Sequence, residues 1–271
     1  MENIIRFMHD NYTLNVSIYD TSFLERTIAN RMIFSYCNST SDYLILLEKM
    51  PSEVTMLFES LTNSYSEFFR NPLTFALLNQ IIYPKLFDKK KSQQTSEVRI
   101  WSAGCAAGQE AYSLAMLADE FITEHPVTTS FRIFATDIST KQLDDAKRGV
   151  YDQKNIQNTK LGFINTYFTV KGQLYTVNEK LKKYIDFSYY DLLDKATNAP
   201  PSSIFGGFDI IMCSNVLFYY QPEIQKRILN KLSSSLNPGG FLLTGEAEIA
   251  IVRGDRNFRQ FVSPSTIFVK T

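Results

Sequence analysis

The chain has 271 residues, of which 44% are hydrophobic and 21% are charged, and its formal net charge is zero. These values are typical of a globular protein with one or two domains, and they disfavour a protein that binds nucleic acid or an acidic membrane. The three cysteines are far apart and lack metal-ligand spacing. With no signal peptide and no apolar run of about 18 residues, the sequence predicts a cytoplasmic protein without membrane insertion.

Residues 1–88 are predicted to form an all-α N-terminal domain. Apolar residues recur at helical spacing over 43–61, and Pro51 suits the first turn of a helix. The segment 89–97 is charged and polar without an apolar anchor, which predicts an exposed linker to a second domain over 98–271.

The end of the helical region holds three candidate site residues. Ser64 or Ser66 could cap a short helix. Arg70 follows Phe68 and Phe69, which are predicted to be core residues, and a guanidinium beside an apolar cluster needs an anionic partner. A structural salt bridge is the alternative explanation for Arg70.

The segment 98–113 predicts a strand, a glycine turn and a helix, which is the opening unit of a nucleotide-binding α/β sheet. Gly104 and Gly108 would let the backbone approach a ligand closely. Glu110, in the first helical turn, opposes a pyrophosphate and favours a ligand with cationic groups, such as S-adenosylmethionine (SAM). The alternative is that Glu110 only complements the helix dipole.

Asp137 ends the next predicted strand, which covers 131–136. An acid at the carboxyl end of the second strand of such a sheet can accept hydrogen bonds from ribose hydroxyls. The alternative is a cap for the following helix.

Residues 149–187 predict a small β insertion containing a hairpin with a Lys-Gly turn. The apolar run 208–213 suits a strand buried on both faces of a parallel sheet. Asn215 and Tyr219 follow it and are site candidates, because ligands of open α/β sheets bind beyond the carboxyl ends of strands. An asparagine turn and a packed tyrosine are the alternatives. The remaining predicted elements are a helix at 223–236 and strands at 241–244 and 265–269.

Six segments in this order resemble the CheR-type chemotaxis receptor methyltransferases, which transfer a methyl group from SAM to receptor glutamates. The segments are FFR (68–70), WSAGC (101–105), GQEAYS (108–113), ATDI (135–138), CSNVLFY (213–219) and LNPGG (236–240). The resemblance runs from about Tyr43 to the C-terminus. It implies an all-α N-terminal domain and a SAM-dependent methyltransferase domain, with a Rossmann-like, mostly parallel sheet and a small β insertion.

The resemblance also implies which residues contact SAM and its product S-adenosylhomocysteine (SAH). They are Ser64, Ser66, Arg70, Glu110, Asp137, Asp191, Leu192, Asn215 and Val216. Arg70 and Tyr219 would lie nearest the transferred methyl. The chain departs from the family's usual residues at four positions, with Ser64 for Asn, Ala111 for Pro, Asp191 for Asn and Ser214 for Arg. The change at Ser214 removes a charge that could meet a carboxylate substrate.

The implied function is methylation of glutamates on the cytoplasmic domain of a chemotaxis receptor, as part of adaptation in chemotaxis signalling. A glutamate side chain, with an ordinary pKa of about 4.3, is already an anionic nucleophile at neutral pH, so no strong base or metal is required. The alternatives are a SAM-binding regulatory module without turnover and a methyltransferase for another protein substrate. We expect a monomer whose N-terminal domain takes part in the active site and holds the protein substrate.

Overall fold

The structure is a computed structural model that describes residues 1–62, 66–92, 97–125, 128–203 and 206–271. The chain divides into two compact units. The first contains Met1–Asn63 and Phe218–Gln225, and the second contains Ser64–Leu217 and Lys226–Thr271.

The first unit is helical, as the sequence predicts. Its helices in the described residues are α1 (Glu2–Tyr12), α2 (Thr21–Phe34), α3 (Thr40–Lys49) and α4 (Pro51–Leu61). Side-chain caps define where α2 and α3 begin, because Asp20 accepts the amide of Phe23 at 3.0 Å and Ser39 accepts the amide of Asp42 at 3.1 Å. The apolar faces of the four helices meet in one buried cluster.

Two further helices, α5 (Pro72–Leu77) and α6 (Tyr83–Ser92), belong to the second unit and are joined by a π-helical turn. Phe87 is buried in the same apolar cluster as the strands, and Lys90 forms an ion pair of 2.9 Å with the buried Asp209. The units therefore divide at residue 63 and not in the predicted linker at 89–97. Consequently, Arg70 belongs to the unit that holds the sheet.

The second unit contains a seven-stranded sheet and a three-stranded sheet. The strands in the described residues are β1 (Glu97–Ala103), β2 (Ser130–Asp137), β3 (Val150–Asp152), β4 (Phe168–Lys171), β5 (Leu174–Val177), β6 (Ile185–Tyr189), β7 (Phe208–Cys213), β8 (Leu236–Thr244), β9 (Phe258–Gln260) and β10 (Ile267–Lys270). The order in the large sheet is β6-β2-β1-β7-β8-β10-β9. The first five strands in this order are parallel to one another, and β10 pairs antiparallel with β8 and β9.

The small sheet has the order β3-β5-β4, and it confirms the predicted β insertion. Its hairpin turns at Gly172, which has a φ of +61°. The insertion ends before β6, because that strand pairs with β2 in the large sheet. The remaining helices are α7 (Gln109–Glu124), α8 (Thr140–Arg148), α9 (Leu161–Tyr167), α10 (Glu179–Lys182), α11 (Pro222–Ser235) and α12 (Ile249–Arg253).

Parallel pairing brings the carboxyl ends of β6, β2, β1, β7 and β8 to one edge of the large sheet. The register aligns these ends, since Ala103 lies opposite Thr136 and Cys213 lies opposite Thr244. The strands β2 and β6, which follow β1 in the chain, lie on one side of β1 in the sheet, and the later strands β7 and β8 lie on its other side. The crevice between the loops after β1 and β7 is therefore the topological switch point, where ligands of such sheets bind.

We expect Gly104→Ala to destabilise the chain. Gly104 has a φ of +77°, and a Cβ there would lie 2.8 Å from Cγ2 of Val216. The left-handed backbone alone should lower the free energy of unfolding by about 1–2 kcal/mol. Gly162→Ala is the matched control, because that glycine is helical and its Cβ would meet open space. Urea denaturation of both variants tests the expectation, and equal losses at the two positions would contradict it.

Candidate active site

The turn after β1 contains three residues with left-handed backbone. Their φ angles are +77° at Gly104, +47° at Ala106 and +87° at Gly108. The amides of Gly104 and Cys105 both donate to the carbonyl of Thr136, at 2.8 and 2.9 Å. The glycine turn is thus fixed to the end of β2, and α7 begins directly after it.

Glu110 lies in the first turn of α7, and the Ser102 hydroxyl donates to its Oε1 at 3.0 Å. Burial raises the pKa of Glu110 to about 8, and the negative charge of Glu248 contributes to the rise. Hydrogen bonds from Ser102 and Ser214, and the positive charge of Arg70, act in the opposite direction. Glu110 therefore holds a proton at neutral pH in the free protein, and a cationic ligand group would favour its ionised form.

Backbone amides donate to both carboxylate oxygens of Asp137. Ala106 donates to Oδ2 at 2.9 Å and Ser139 donates to Oδ1 at 2.8 Å. Burial raises the pKa of Asp137, while these amide hydrogen bonds lower it. A carboxylate has about four acceptor positions, so Asp137 can also accept a hydrogen bond from a ribose hydroxyl. The alternative role as a cap is wrong, because Ser139 caps α8 by accepting the amide of Gln142.

The loop after β7 lies against the glycine turn. The close approach of Val216 to Gly104 leaves no room for a side chain at that glycine. Asn215 has a φ of +60°, and the Ser214 hydroxyl reaches Glu110. The structure therefore brings Asn215 and Val216 together with Glu110 at the switch point.

Asp191 and Leu192 follow β6 at the same edge of the sheet, and both are half-buried. The Asp191 carboxylate accepts the amide of Leu193 at 2.7 Å, which folds the loop into a tight turn. The amide of Tyr190 donates to the carbonyl of Asp137 at 3.1 Å and joins this loop to the end of β2.

Arg70 is exposed and follows two aromatic residues that anchor its segment in the second unit. Phe68 is fully buried, and the amide of Phe69 donates to the Ser113 hydroxyl of α7 at 3.1 Å. Because the charge of Arg70 lowers the pKa of Glu110, its guanidinium is within electrostatic reach of that carboxyl group. The prediction that Phe68 and Phe69 are core residues is confirmed.

For three other predicted site residues, the structure does not describe a position at the switch point. Ser64 lies outside the described residues, and Ser66 is half-buried in the second unit. Tyr219 belongs to the first unit, where its ring centroid lies 4.7 Å from that of Phe23 and its carbonyl accepts the amide of Asp20 at 2.8 Å. Its position beside the transferred methyl stays a prediction.

Sequence reasoning missed two charged residues that support these loops. Lys231 donates from Nζ to the hydroxyl of Tyr190 at 3.0 Å and so supports the loop after β6. Glu248 is fully buried and binds the backbone of the loop after β7. Both depend on partners far along the chain, since Val216 lies 32 residues from Glu248 and Tyr190 lies 41 residues from Lys231. The position of Glu248 soon after a strand of the sheet is a partial signal in the sequence.

The described residues hold no group of three or more His, Cys, Asp and Glu suited to a metal ion. None of the helices in this described part of the chain has the length and apolar character needed to cross a membrane. The donor set instead fits SAM. A partly buried carboxyl group with a raised pKa suits the ligand's ammonium, and Asp137 has acceptor positions left for its ribose. Arg70 offers a cation for a carboxylate.

The fold and the site define a nucleotide-binding α/β protein whose site favours a partly cationic ligand. A family model described as "CheR methyltransferase, SAM binding domain" matches residues 64–267, and one described as "CheR methyltransferase, all-alpha domain" matches residues 1–62. The chain therefore belongs to the CheR methyltransferase family and is a SAM-dependent methyltransferase. The two matches also meet where the compact units divide.

Three relatives extend the comparison. The chemotaxis protein methyltransferase of Borreliella burgdorferi is 30% identical over an alignment of 272 positions, which covers 98% of this chain and 92% of that protein. Chemotaxis protein methyltransferase 1 of Pseudomonas aeruginosa is 32% identical over 197 residues, which cover 71% of this chain and 69% of that protein. The Vibrio parahaemolyticus chemotaxis protein methyltransferase is 34% identical over 198 residues, which cover 70% of this chain and 66% of that protein.

The raised pKa of Glu110 predicts that SAH binding releases a proton. Free Glu110 is protonated at about pH 6.5, and an ammonium beside it would favour the carboxylate. Binding of SAH should therefore release about one proton, and the affinity should increase as the pH rises toward 8. Titration calorimetry in buffers with different ionisation enthalpies measures this release. Glu110→Gln should bind more weakly and release none. Equal proton release from the variant and the wild type would contradict the assignment.

Proposed function

We propose that the chain forms glutamate methyl esters on the cytoplasmic domain of a chemotaxis receptor, with SAM as donor and SAH as product, and that it acts as a cytoplasmic monomer. The observation that carries this proposal is the convergence of Glu110, Asp137 and the loop after β7 at the switch point of the sheet. The names of the three relatives support the assignment to chemotaxis.

The chemistry asks the protein mainly to bind and orient its substrates. SAM supplies a methyl group activated by its sulfonium. A substrate glutamate is ionised at neutral pH, so no residue of the chain has to remove a proton. Holding the carboxylate in line with the methyl group and excluding water can contribute about 7–11 kcal/mol. This accounts for a site built from hydrogen-bonding groups and charges.

We assign the ligand's ammonium to Glu110 and its ribose to Asp137. The charge of Glu110 when ionised complements the ammonium, and the two oxygens of Asp137 are spaced to accept from neighbouring hydroxyls. The other residues proposed to contact the cofactor come from the segment before α5 and from the loops after β6 and β7. They are Ser64, Ser66, Arg70, Asp191, Leu192, Asn215 and Val216.

We assign the reacting carboxylate to Arg70 and Tyr219. Ser214 is neutral and turned toward Glu110, so it supplies no cation for an incoming glutamate. Arg70 has the charge for this role and lies within electrostatic reach of Glu110. The Tyr219 hydroxyl would provide a hydrogen-bond donor near the methyl group.

A methyl-transfer assay tests the function. With tritiated SAM and a receptor cytoplasmic domain, the label should enter the receptor as an ester that releases methanol in base. Replacing the accepting glutamates by alanine should abolish the label. Asp137→Ala should weaken SAH binding by about 1–3 kcal/mol through lost hydrogen bonds to a charged group. SAH binding without any transfer would instead indicate a regulatory module, and transfer to other proteins alone would indicate a different substrate.

Arg70→Ala tests the proposed catalytic residue. Arg70 is exposed, so Arg70→Ala should stay folded and lose little thermal stability, while methyl transfer at saturating SAM falls by about tenfold or more. Arg259→Ala is the control, since that exposed arginine lies on β9 at the far edge of the sheet. A folded Arg70→Ala variant with the wild-type rate would show that Arg70 is not catalytic.

A further inference from the structure

Glu248 lies just after β8, is fully buried, and accepts five hydrogen bonds. Four of the donors are backbone amides and the fifth is a hydroxyl. Oε1 accepts the amides of Val216 and Leu217, both at 2.6 Å, and Oε2 accepts the amides of Asn215 at 2.9 Å and Gly245 at 2.8 Å and the hydroxyl of Thr244 at 2.6 Å.

Three of these amides are consecutive and belong to the loop after β7. Consecutive backbone amides that point to one place form an anion-binding concavity, and here a side chain of the same protein supplies the anion. Without it, the amide of the buried Leu217 would lose its partner, which is costly away from water. The carboxylate thus holds the loop in one conformation.

Asn215 in this loop has a φ of +60°, in the left-handed region that asparagine adopts more readily than most residues with a side chain. Gly245 provides the necessary space, because a Cβ there would lie 2.9 Å from Nδ2 and 3.1 Å from the backbone nitrogen of Asn215. The left-handed asparagine, the glycine beside it and the buried acid form one arrangement.

We infer that Glu248 is the positioning residue of the cofactor site, which it serves by fixing Asn215 and Val216 against the glycine turn. This inference rests on the proposed function in one respect, namely the assignment of those two residues to the cofactor. Glu248 acts through the backbone amides of the loop. The charge of Glu248 also favours cofactor binding, since it adds to the negative potential around Glu110, where a cationic ligand would bind.

The test compares two buried carboxylates on the full-length chain. Glu248→Gln keeps the shape of the side chain, but an amide nitrogen cannot accept, so some of the five hydrogen bonds are lost. We expect the Kd for SAH to rise by about tenfold or more. In the ligand-free protein, hydrogen exchange at the amides of Asn215, Val216 and Leu217 should become faster.

Asp209→Asn is the matched control. Asp209 is also buried and lies near the start of β7, at the opposite edge of the sheet. It accepts the amide of Arg99 at 3.0 Å and the side chain of Asn237 at 2.9 Å, and it pairs with Lys90. This variant should also lose stability, but it should keep the wild-type Kd for SAH and the wild-type exchange of the loop amides.

Glu248 would be a purely structural residue if Glu248→Gln lost stability like Asp209→Asn while it bound SAH with the wild-type Kd. Thr244→Val covers the case in which Glu248→Gln does not fold. It removes a single donor to Oε2 and should raise the Kd by a smaller factor in the same direction. An unchanged Kd in folded Thr244→Val would overturn the inference. Failure of the proposed function is distinguishable, because it appears as wild-type SAH binding without methyl transfer to a receptor.

Discussion

The parallel pairing of β1 with both β2 and β7 is the constraint on which the site depends. Parallel strands end at the same edge of a sheet, so the loops that follow them must share that space. The carbonyl of Thr136, near the end of β2, then fixes the glycine turn through two amides. Asp137 follows directly and accepts the amide of Ala106 from the same turn. The pairing of strands thus becomes the geometry of a binding site.

The chain places three carboxylates at this edge, and it stabilises each in a different way. Glu110 keeps a proton, because burial raises its pKa to about 8. Asp137 accepts a backbone amide on each oxygen, and Glu248 accepts five hydrogen bonds. Burying an ionisable group is costly unless it is neutralised or hydrogen-bonded. The arrangement leaves Glu110 as the carboxyl group whose charge state a cationic ligand can change.

The domain boundary shows where a local pattern misleads. The charged segment 89–97 resembles a linker, yet α6 continues to Ser92 because lysines favour helices when one face of the helix is buried. Phe87 supplies that face, and Lys90 pairs with Asp209 on a strand far along the chain. Charge alone could not indicate this, because the partner that makes Lys90 a buried residue is absent from the local sequence.

The sequence by itself determined the parts that depend on neighbours along the chain. The strand, glycine turn and helix around Gly104, the acid after β2 and the apolar run of β7 all follow from short-range chemistry and periodicity. Tertiary structure decided which side chains support them. Glu248 meets the amides of Asn215, Val216 and Leu217 only because β8 pairs with β7 and ends at the same edge. Hydrogen-bond partners across a sheet depend on strand order and register, and neither is encoded in the spacing of the residues concerned.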